Sequence, residues 1–199
     1  MSDSMINQDA FTSTPLPYHT VLEKSRVPID VILKNHIDQA AINACKACKN
    51  YGNVWSCPPF EFQREDYWRR YATLELWCLR IIFSVTNPLP NMTSEEIDAR
   101  KFASLVEAKR TMEDQLLEAE GAHPGAMSLF PGACWHCSQG CRRREGKPCV
   151  NPRRLRHSIE SLGGNNLTLI RENFGWEFEW AEPGRVPHYY LLTGGTLLP

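Results

Sequence analysis

Residues 74–86 read LELWCLRIIFSVT, a run rich in β-branched and aromatic side chains. Such a run predicts a well-buried β-strand, and the Asn-Pro pair at 87–88 ends it because proline cannot continue a sheet ladder. The next polar segment has the spacing of a helix capping box, with Thr93 three residues before Glu96. It predicts a long helix that runs to about Glu120. A buried strand followed by a long amphipathic helix places the chain in the α+β class.

Further elements are predicted on both sides of this strand and helix. Helical spacing of apolar residues predicts three more helices, at residues 28–44, 154–162 and 166–174. Alternating or β-branched runs predict three more strands, at residues 126–130, 176–180 and 186–192. Gly121 is expected to end the long helix. The predicted fold is therefore one domain with a small mixed or antiparallel sheet, a long helix and a layer of cysteine-rich loops.

Length and composition set the domain organisation and exclude some partners. The chain has 199 residues, of which 42% are apolar, and 22 basic residues nearly balance 23 acidic ones. Residues 1–17 are polar and aperiodic, so we predict a flexible leader followed by one domain over 18–199. A net charge of −1 does not favour nucleic acid or an anionic membrane as partner. No run approaches the ~20 apolar residues of a membrane span, and no secretory core is present, so we predict a cytoplasmic protein.

Eight cysteines are the unusual feature of this composition, and seven of them fall in two short segments, residues 45–59 and 132–152. In a reducing compartment such clusters are more often metal ligands or catalytic groups than disulfides. The first loop has the pattern C-x2-C-x8-C and the second C-x2-C-x3-C-x7-C. We expect all seven to bind a metal or cofactor: Cys45, Cys48, Cys57, Cys134, Cys137, Cys141 and Cys149.

The spacing of the thiols favours iron–sulfur clusters over zinc. The second loop supplies four cysteines, the full complement for one [4Fe–4S] cluster, and Cys57-Pro58 repeats the Cys-Pro pairing found at ferredoxin clusters. Zinc is the chief alternative, since C-x2-C pairs also form tetrahedral sites. The usual separation between two such pairs in a zinc site is about 15–20 residues. Cys48 and Cys134 lie much further apart in the sequence than this, which disfavours a zinc site. Disulfides remain a third reading.

The first loop has only three cysteines, which leaves its ligand set open. Three thiols could hold a cluster with one iron open to substrate or water, a fourth ligand could come from elsewhere, or the two loops could share one centre. Cys78 lies in an apolar run and is interpreted as a buried core residue. His136, between two cysteines, is not expected to be a ligand.

Basic and aromatic residues surround the second loop. One interpretation of this basic stretch is a solvent-exposed face without a specific role. Alternatively, its cations would stabilise a negatively charged cluster and attract an acidic redox partner or a small anionic substrate near Arg142 to Arg156. The stretch comprises Arg142, Arg143, Arg144, Lys147, Arg153, Arg154 and Arg156. Three tryptophans, Trp55, Trp135 and Trp176, are interpreted as core or cluster-shielding residues. The chain contains no Walker loop, dinucleotide-binding glycine motif or H-E-x-x-H motif, so no catalytic residue is assigned.

The two cysteine segments together resemble a known family. The motifs that carry the resemblance are Cys45-x2-Cys48 through Cys57-Pro58-Pro59, and Cys134 through Cys149 followed by Arg156 and Ser158. Over about residues 40–192 the chain is similar to the prokaryotic family catalogued as predicted metal-binding proteins, a domain of unknown function. The resemblance implies cysteine metal binding of iron–sulfur type in a cytoplasmic protein common in anaerobes, without implying a reaction.

Three functions are consistent with this sequence. The first is an electron carrier or redox accessory module with a [4Fe–4S] cluster on the second loop and another centre on the first. The second is an enzyme in which an open iron on the three-cysteine loop acts as a Lewis acid. The third is a zinc-stabilised structural protein. Because no acid/base constellation is recognisable, the redox module is preferred.

Overall fold

A four-stranded antiparallel sheet forms the centre of the molecule in the computed structural model, which describes residues 13–85 and 87–199. The strands lie in the order β1-β2-β4-β3. Their bounds are β1 Tyr18–Pro28, β2 Thr73–Phe83, β3 Met127–Leu129 and β4 Tyr189–Leu198. The helices are α1 Ile29–Asn35, α2 Gln39–Ala47, α3 Arg64–Trp68, α4 Ser94–Ala122 and α5 Asn166–Phe174. The predicted α+β class with a small antiparallel sheet and one long helix is confirmed.

Strand β2 is central because it pairs along its length with both β1 and β4. Its side chains alternate between the two faces of the sheet. Trp77, Leu79 and Ile81 pack in one core cluster with Met112 and Leu116 of α4. The opposite face is covered by α1, α3 and α5. Both faces are therefore buried, which explains the nearly continuous apolar run that predicted this strand.

Helix α4 begins as its sequence predicts. The Thr93 hydroxyl accepts the Glu96 N–H at 3.2 Å, and the Glu96 carboxylate accepts the Thr93 N–H at 2.7 Å. This reciprocal pair satisfies two backbone donors that the first turn leaves open. The predicted end was slightly wrong, because the helix continues through Gly121 to Ala122.

Among the described residues no helix is long and apolar enough to cross a membrane.

The single helix predicted over 28–44 is wrong, because the chain breaks between α1 and α2. Ile37 leaves helical geometry to form a β-bridge with Gly164. His36 is buried and its Nδ1 lies 2.9 Å from the Thr168 hydroxyl. Asp38 then caps α2 by accepting the Ala40 N–H. Contacts with residues more than 120 positions away therefore outweigh a continuous helical pattern.

Three other predicted elements need correction. Residues 154–162 do not form an α-helix: Arg154 ends a short 3₁₀ helix, the His157 carbonyl accepts the Phe130 N–H at 2.8 Å, and residues 159–163 form turns. Residues 176–180 form no strand; Trp176 instead packs its ring on Tyr189 at 5.8 Å. The helix predicted at 166–174 is present with those bounds, and the strands predicted at 126–130 and 186–192 are present with shifted bounds.

The structure also contains features that the sequence patterns did not indicate. Strand β1 was not predicted, because it is an edge strand whose exposed side chains interrupt the apolar alternation. Strand β4 extends past its predicted end through Gly194 and Gly195. A Cβ on Gly195 would lie 2.4 Å from the Glu75 carbonyl oxygen, so this close approach of two strands requires glycine.

The predicted leader and domain boundary lie partly outside the described residues. Residues 1–12 are not described. At the other end of the predicted leader, Leu16 is 2% exposed and its N–H donates to the Ser104 hydroxyl of α4 at 3.0 Å. The division into residues 1–17 and 18–199 therefore stays a prediction.

Glu120 ties the end of α4 to the chain that follows the second cysteine loop. Its carboxylate accepts the Arg156 guanidinium at 2.8 and 2.5 Å and the Ser128 N–H at 2.7 Å. Burial alone would raise the pKa of Glu120, but the hydrogen bonds from Arg156 and Ser128 outweigh it and lower this pKa. The charged form is therefore favoured in the folded protein.

We expect Glu120→Gln to lower the free energy of unfolding by about 1–2 kcal/mol at pH 7. Because the folded-state pKa is lowered, the stabilisation is present above the unfolded pKa of about 4.3 and is lost as the pH falls through the folded value. Urea unfolding between pH 7 and pH 3 should show the gap to wild type closing at acid pH. Glu118→Gln, at an exposed position on the same helix, is the control. A gap that persists unchanged at pH 3 contradicts the prediction.

Candidate metal centre

The first cysteine loop starts at the end of α2. Cys45 lies in the last turn of that helix, Cys48 caps it, and Cys57 follows a turn that folds back on itself. Gly52 makes the fold-back possible, with φ at 71° and its N–H donating to the Pro58 carbonyl at 2.7 Å. The loop therefore returns its third cysteine toward the first two.

The three thiols of this loop influence one another. The pKa of Cys57 is raised to about 11, chiefly by burial and also by the nearby Cys48 and Cys45, against the lowering effects of Ser56 and Arg143. Burial likewise raises the pKa of Cys45. A bound metal cation would reverse this shift, since thiolates are the form that binds metal.

A cavity of about 860 Å³ is lined by the second cysteine loop, by part of the first loop and by Arg110 of α4. All four cysteines of the second loop line this cavity, namely Cys134, Cys137, Cys141 and Cys149. Each is neither fully buried nor fully exposed. In the described part of the chain, no three histidine, cysteine or carboxylate side chains already meet in the arrangement of a single-ion site. The four predicted ligands of this loop therefore line one cavity without already meeting at a single point.

Asn151 links two of these sulfurs. Its backbone N–H donates to Cys149 Sγ at 3.4 Å, and its side-chain amide lies 3.8 Å from Cys137 Sγ. Hydrogen bonds to sulfur stabilise thiolate charge and tune the potential of thiolate-bound clusters. Asn151 was not singled out from the sequence, and its position two residues after a cysteine is the signal that could have indicated it.

The two loops form one unit although Ser56 and Cys134 are separated by 78 positions. The Arg143 guanidinium donates to the carbonyls of Val54, Cys57 and Pro59 at 2.9, 2.5 and 2.6 Å. Two further bonds join the loops: Cys134 N–H to the Ser56 hydroxyl, and the Trp55 indole N–H to the Lys147 carbonyl, each 3.0 Å long. Arg143 is thus a structural clamp between the loops.

A buried charge pair on α4 supports the start of the second loop. Lys109 donates to the carbonyl oxygens of Pro131 and Ala133, the latter at 2.6 Å, and lies 3.6 Å from the Glu113 carboxylate. Both side chains are 2% exposed. This pair was missed at the sequence level. Its signal was an i,i+4 Lys–Glu pair on the helix face that carries Met112, where solvated residues are not expected.

His136 faces this charge pair. Its Nε2 lies 3.6 Å from the Glu113 carboxylate, and its ring contacts the edge of Phe130. Burial lowers the pKa of His136, and the neighbouring Arg154 and Lys109 lower it further. That His136 is not a ligand stays a prediction.

The predicted basic stretch divides into two groups. Arg143 and Arg156 turn inward as described above, and Arg154 and Lys147 form ion pairs with Asp114 and Glu145. Exposed residues make up the second group, consisting of Arg142, Arg144 and Arg153. Lys49, Arg110 and Arg144 belong to the lining of the large cavity. The cavity of the second loop therefore has a cationic rim.

The three tryptophans and Cys78 lie in different parts of the structure. Trp55 and Trp135 line the cavity, whereas Trp176 packs under β4 with the Arg80 guanidinium 3.5 Å from its ring centroid. Cys78 is fully buried in β2 among Ile170 and other apolar residues. Burial raises the pKa of Cys78 to about 12. Its interpretation as a core residue is confirmed.

The comparisons with known proteins give one match. A family model described as "Predicted metal-binding protein (DUF2284)" matches residues 32–193, a range that includes both cysteine loops. No curated protein and no solved structure matches the chain. Because the matched range covers most of the chain, this protein belongs to the DUF2284 family of predicted metal-binding proteins, the family that its cysteine motifs resemble.

Proposed function

We propose that this metal-binding protein is an iron–sulfur protein that acts as an electron-transfer or redox accessory module. In this proposal the second loop holds one [4Fe–4S] cluster through Cys134, Cys137, Cys141 and Cys149, and the first loop holds a second centre through Cys45, Cys48 and Cys57. The observation that carries the proposal is the convergence of four cysteines on one cavity. Four cysteine thiolates are the ligand set of such a cluster.

The surroundings of the second loop suit a negatively charged cluster. Four thiolates around a [4Fe–4S]²⁺ core leave a net negative centre, and the cluster would supply one-electron exchange. Asn151 donates hydrogen bonds toward two of the sulfurs, and the basic residues Arg144 and Lys49 line the same cavity. Trp55 and Trp135 cover part of it and would exclude water, which tunes a reduction potential.

The exposed basic residues of the second loop support the proposal that this module binds a partner protein. Arg142, Arg144 and Arg153 are free to meet an acidic protein surface beside the cavity. Complementary charge steers association and gives it a salt dependence. We therefore propose an acidic redox protein as partner, with a small anionic substrate as the alternative occupant. A cytoplasmic location would keep the thiols reduced and able to bind the cluster.

The first loop favours a second candidate function. Its three thiols lie near one another, and the loop itself contains no fourth cysteine. A cluster held by three thiolates would leave one iron open, and such an iron could act as a Lewis acid in an enzyme. Small anions or added thiols should then change the spectrum of one cluster only. In the carrier proposal neither cluster responds to them.

Iron, zinc and acid-labile sulfide per chain, measured on protein purified without oxygen, test the proposal. We expect about eight irons with matching sulfide, corresponding to two four-iron clusters. About four irons would support a single cluster and leave one loop shared or without a centre. Zinc without sulfide would contradict both iron–sulfur functions and leave a zinc-stabilised structural protein.

A further inference from the structure

The large cavity lined by the second cysteine loop carries basic residues from three separate elements. Lys49 comes from the first loop, Arg110 from α4 and Arg144 from the second loop. The hydrogen bonds from Arg143 hold the two loops together and so fix the backbone that carries Lys49 and Arg144. The fold therefore brings three cations from distant parts of the chain to one cavity.

These three cations have no carboxylate partner in the part of the chain that the structure describes. None of them forms an ion pair there, and the described lining of the cavity contains no aspartate or glutamate. On the adjoining part of α4, Glu113 already pairs with Lys109 and Asp114 with Arg154, so these carboxylates are occupied. A cavity lined by cations alone attracts anions.

The metal centre proposed for this cavity would neutralise only part of this charge. Four thiolates around either a [4Fe–4S]²⁺ core or one Zn²⁺ leave about two negative charges. The three cations of the lining exceed this charge by about one unit. The excess positive charge fits a single anionic group, whichever of the two metals is bound.

The cavity also has room for a second occupant. Its volume is about 860 Å³, within the roughly 300–1,000 Å³ that is typical of small-molecule sites. A cavity of about 150 Å³ accommodates benzene, so a cluster core of about eight atoms would fill only a fraction of this one. Part of the wall is apolar and comes from Val54, Trp55, Trp135 and Leu155. An apolar body attached to the anionic group could therefore pack against this wall.

We propose that this cavity binds a compact organic oxyanion, a carboxylate or phosphate group on an apolar body, beside the metal centre. The proposal deepens the anionic occupant named above and rests on the second loop holding a metal, but not on which metal. The planar guanidinium groups of Arg110 and Arg144 would each donate two parallel hydrogen bonds to the anion, and Lys49 would add a point charge. The exposed Arg142 and Arg153, which lie outside the lining, remain available to a protein partner.

Binding of benzoate to the full-length, metal-loaded protein tests this proposal. Calorimetry at low salt should show benzoate binding about ten-fold or more tightly than benzyl alcohol, which lacks the charge, and than benzylamine, which carries the opposite charge. Added salt should weaken benzoate binding, because the three cations are exposed. Phenyl phosphate compares the two kinds of oxyanion, and the tighter ligand identifies the group that the site prefers. Equal binding of benzoate and benzyl alcohol would overturn the proposal.

Two variants assign the binding to these residues. Arg110→Gln and Arg144→Gln each remove one cation of the lining, and we expect each to weaken benzoate binding about ten-fold or more. Arg110 lies on α4 outside both cysteine loops, so its variant should keep the metal content of wild type. The control is Arg142→Gln, which removes an exposed cation outside the lining, from the same short helix as Arg144, and should bind as wild type does. Wild-type affinity in a folded Arg110→Gln or Arg144→Gln protein would overturn the proposal.

The metal content of the same samples separates this proposal from the iron–sulfur function. Zinc without sulfide, together with benzoate binding to the zinc-loaded protein, would contradict the iron–sulfur function and support the anion site. Benzoate binding to the metal-free protein alone would overturn the anion site, because it would show that the metal centre uses up the positive charge of the lining.

Discussion

Replacing Cys141 with alanine should remove about half of the iron and half of the acid-labile sulfide bound per chain. Cys141 lines the same cavity as the other three cysteines of the second loop. Alanine removes one of the four thiolates that the proposal assigns to this cluster, and a loop arranged to hold a cluster with four ligands is expected to lose it when one is missing. The first loop keeps all three of its thiols in this variant, so its centre should remain. The measurement is metal and sulfide content together with the visible absorption of anaerobic protein.

Cys78→Ala is the matched control for this loss. Cys78 is fully buried between β1 and β4, in a core cluster with Ile170 and Leu191. Its removal should leave the iron content unchanged and cost only packing energy. Loss of essentially all iron in Cys141→Ala would indicate one centre shared by both loops, or folding that depends on that centre. Unchanged iron in Cys141→Ala would show that this cysteine is not a ligand.

Replacing Arg143 with alanine should destabilise the protein by about 2 kcal/mol and lower the metal content of both loops. The guanidinium donates to three carbonyl oxygens of the first loop, including that of Cys57. Hydrogen bonds from charged groups contribute about 1.5–3 kcal/mol, and the partial exposure of Arg143 places the total near the lower end. Without this clamp the first loop loses its attachment to the second. Urea unfolding at pH 7 and metal content measure the two effects.

Two further substitutions separate geometry from charge. Arg143→Lys keeps the charge, but an ammonium group lacks the planar fork that reaches several carbonyls, so most of the destabilisation should remain. Arg142→Ala removes a neighbouring exposed cation and should leave stability and metal content unchanged. Arg143→Lys with wild-type stability would show that charge alone suffices. Equal losses in Arg142→Ala and Arg143→Ala would contradict the clamp.

Prediction from the sequence succeeded where the signal is local. The capping box at Thr93 and Glu96 is confirmed because both partners lie within one helical turn. The run at 74–86 predicted a buried strand because β2 has apolar contacts on both faces. The pattern at 176–180 failed because Trp176 and Phe178 pack against β4 residues without pairing to that strand, and Trp180 is exposed. Periodicity reports which side chains are buried, and it does not report whether the backbone joins a ladder.

In the candidate site, too, the sequence predicted the features that depend on near neighbours and missed those that depend on distant contacts. The spacing of seven cysteines was sufficient to name the ligands that the proposal uses, since a C-x2-C turn brings two thiols together wherever it occurs. The role of Arg143 could not be found in this way. It belonged to a stretch of seven basic residues that looked equivalent, and only its contacts with a loop 84 to 89 positions away distinguish it. The buried pair of Lys109 and Glu113 was hidden for a similar reason.

The sequence by itself determined the central strand, the start of the long helix and the two groups of cysteines that the proposal uses, because each depends on neighbours a few residues away. The tertiary structure decided that the two cysteine loops are one unit and that Arg143 holds them together. Contacts of this kind join residues that are distant in the chain. Their pairing depends on how the helices and loops pack around the sheet, and no local pattern of residues records it.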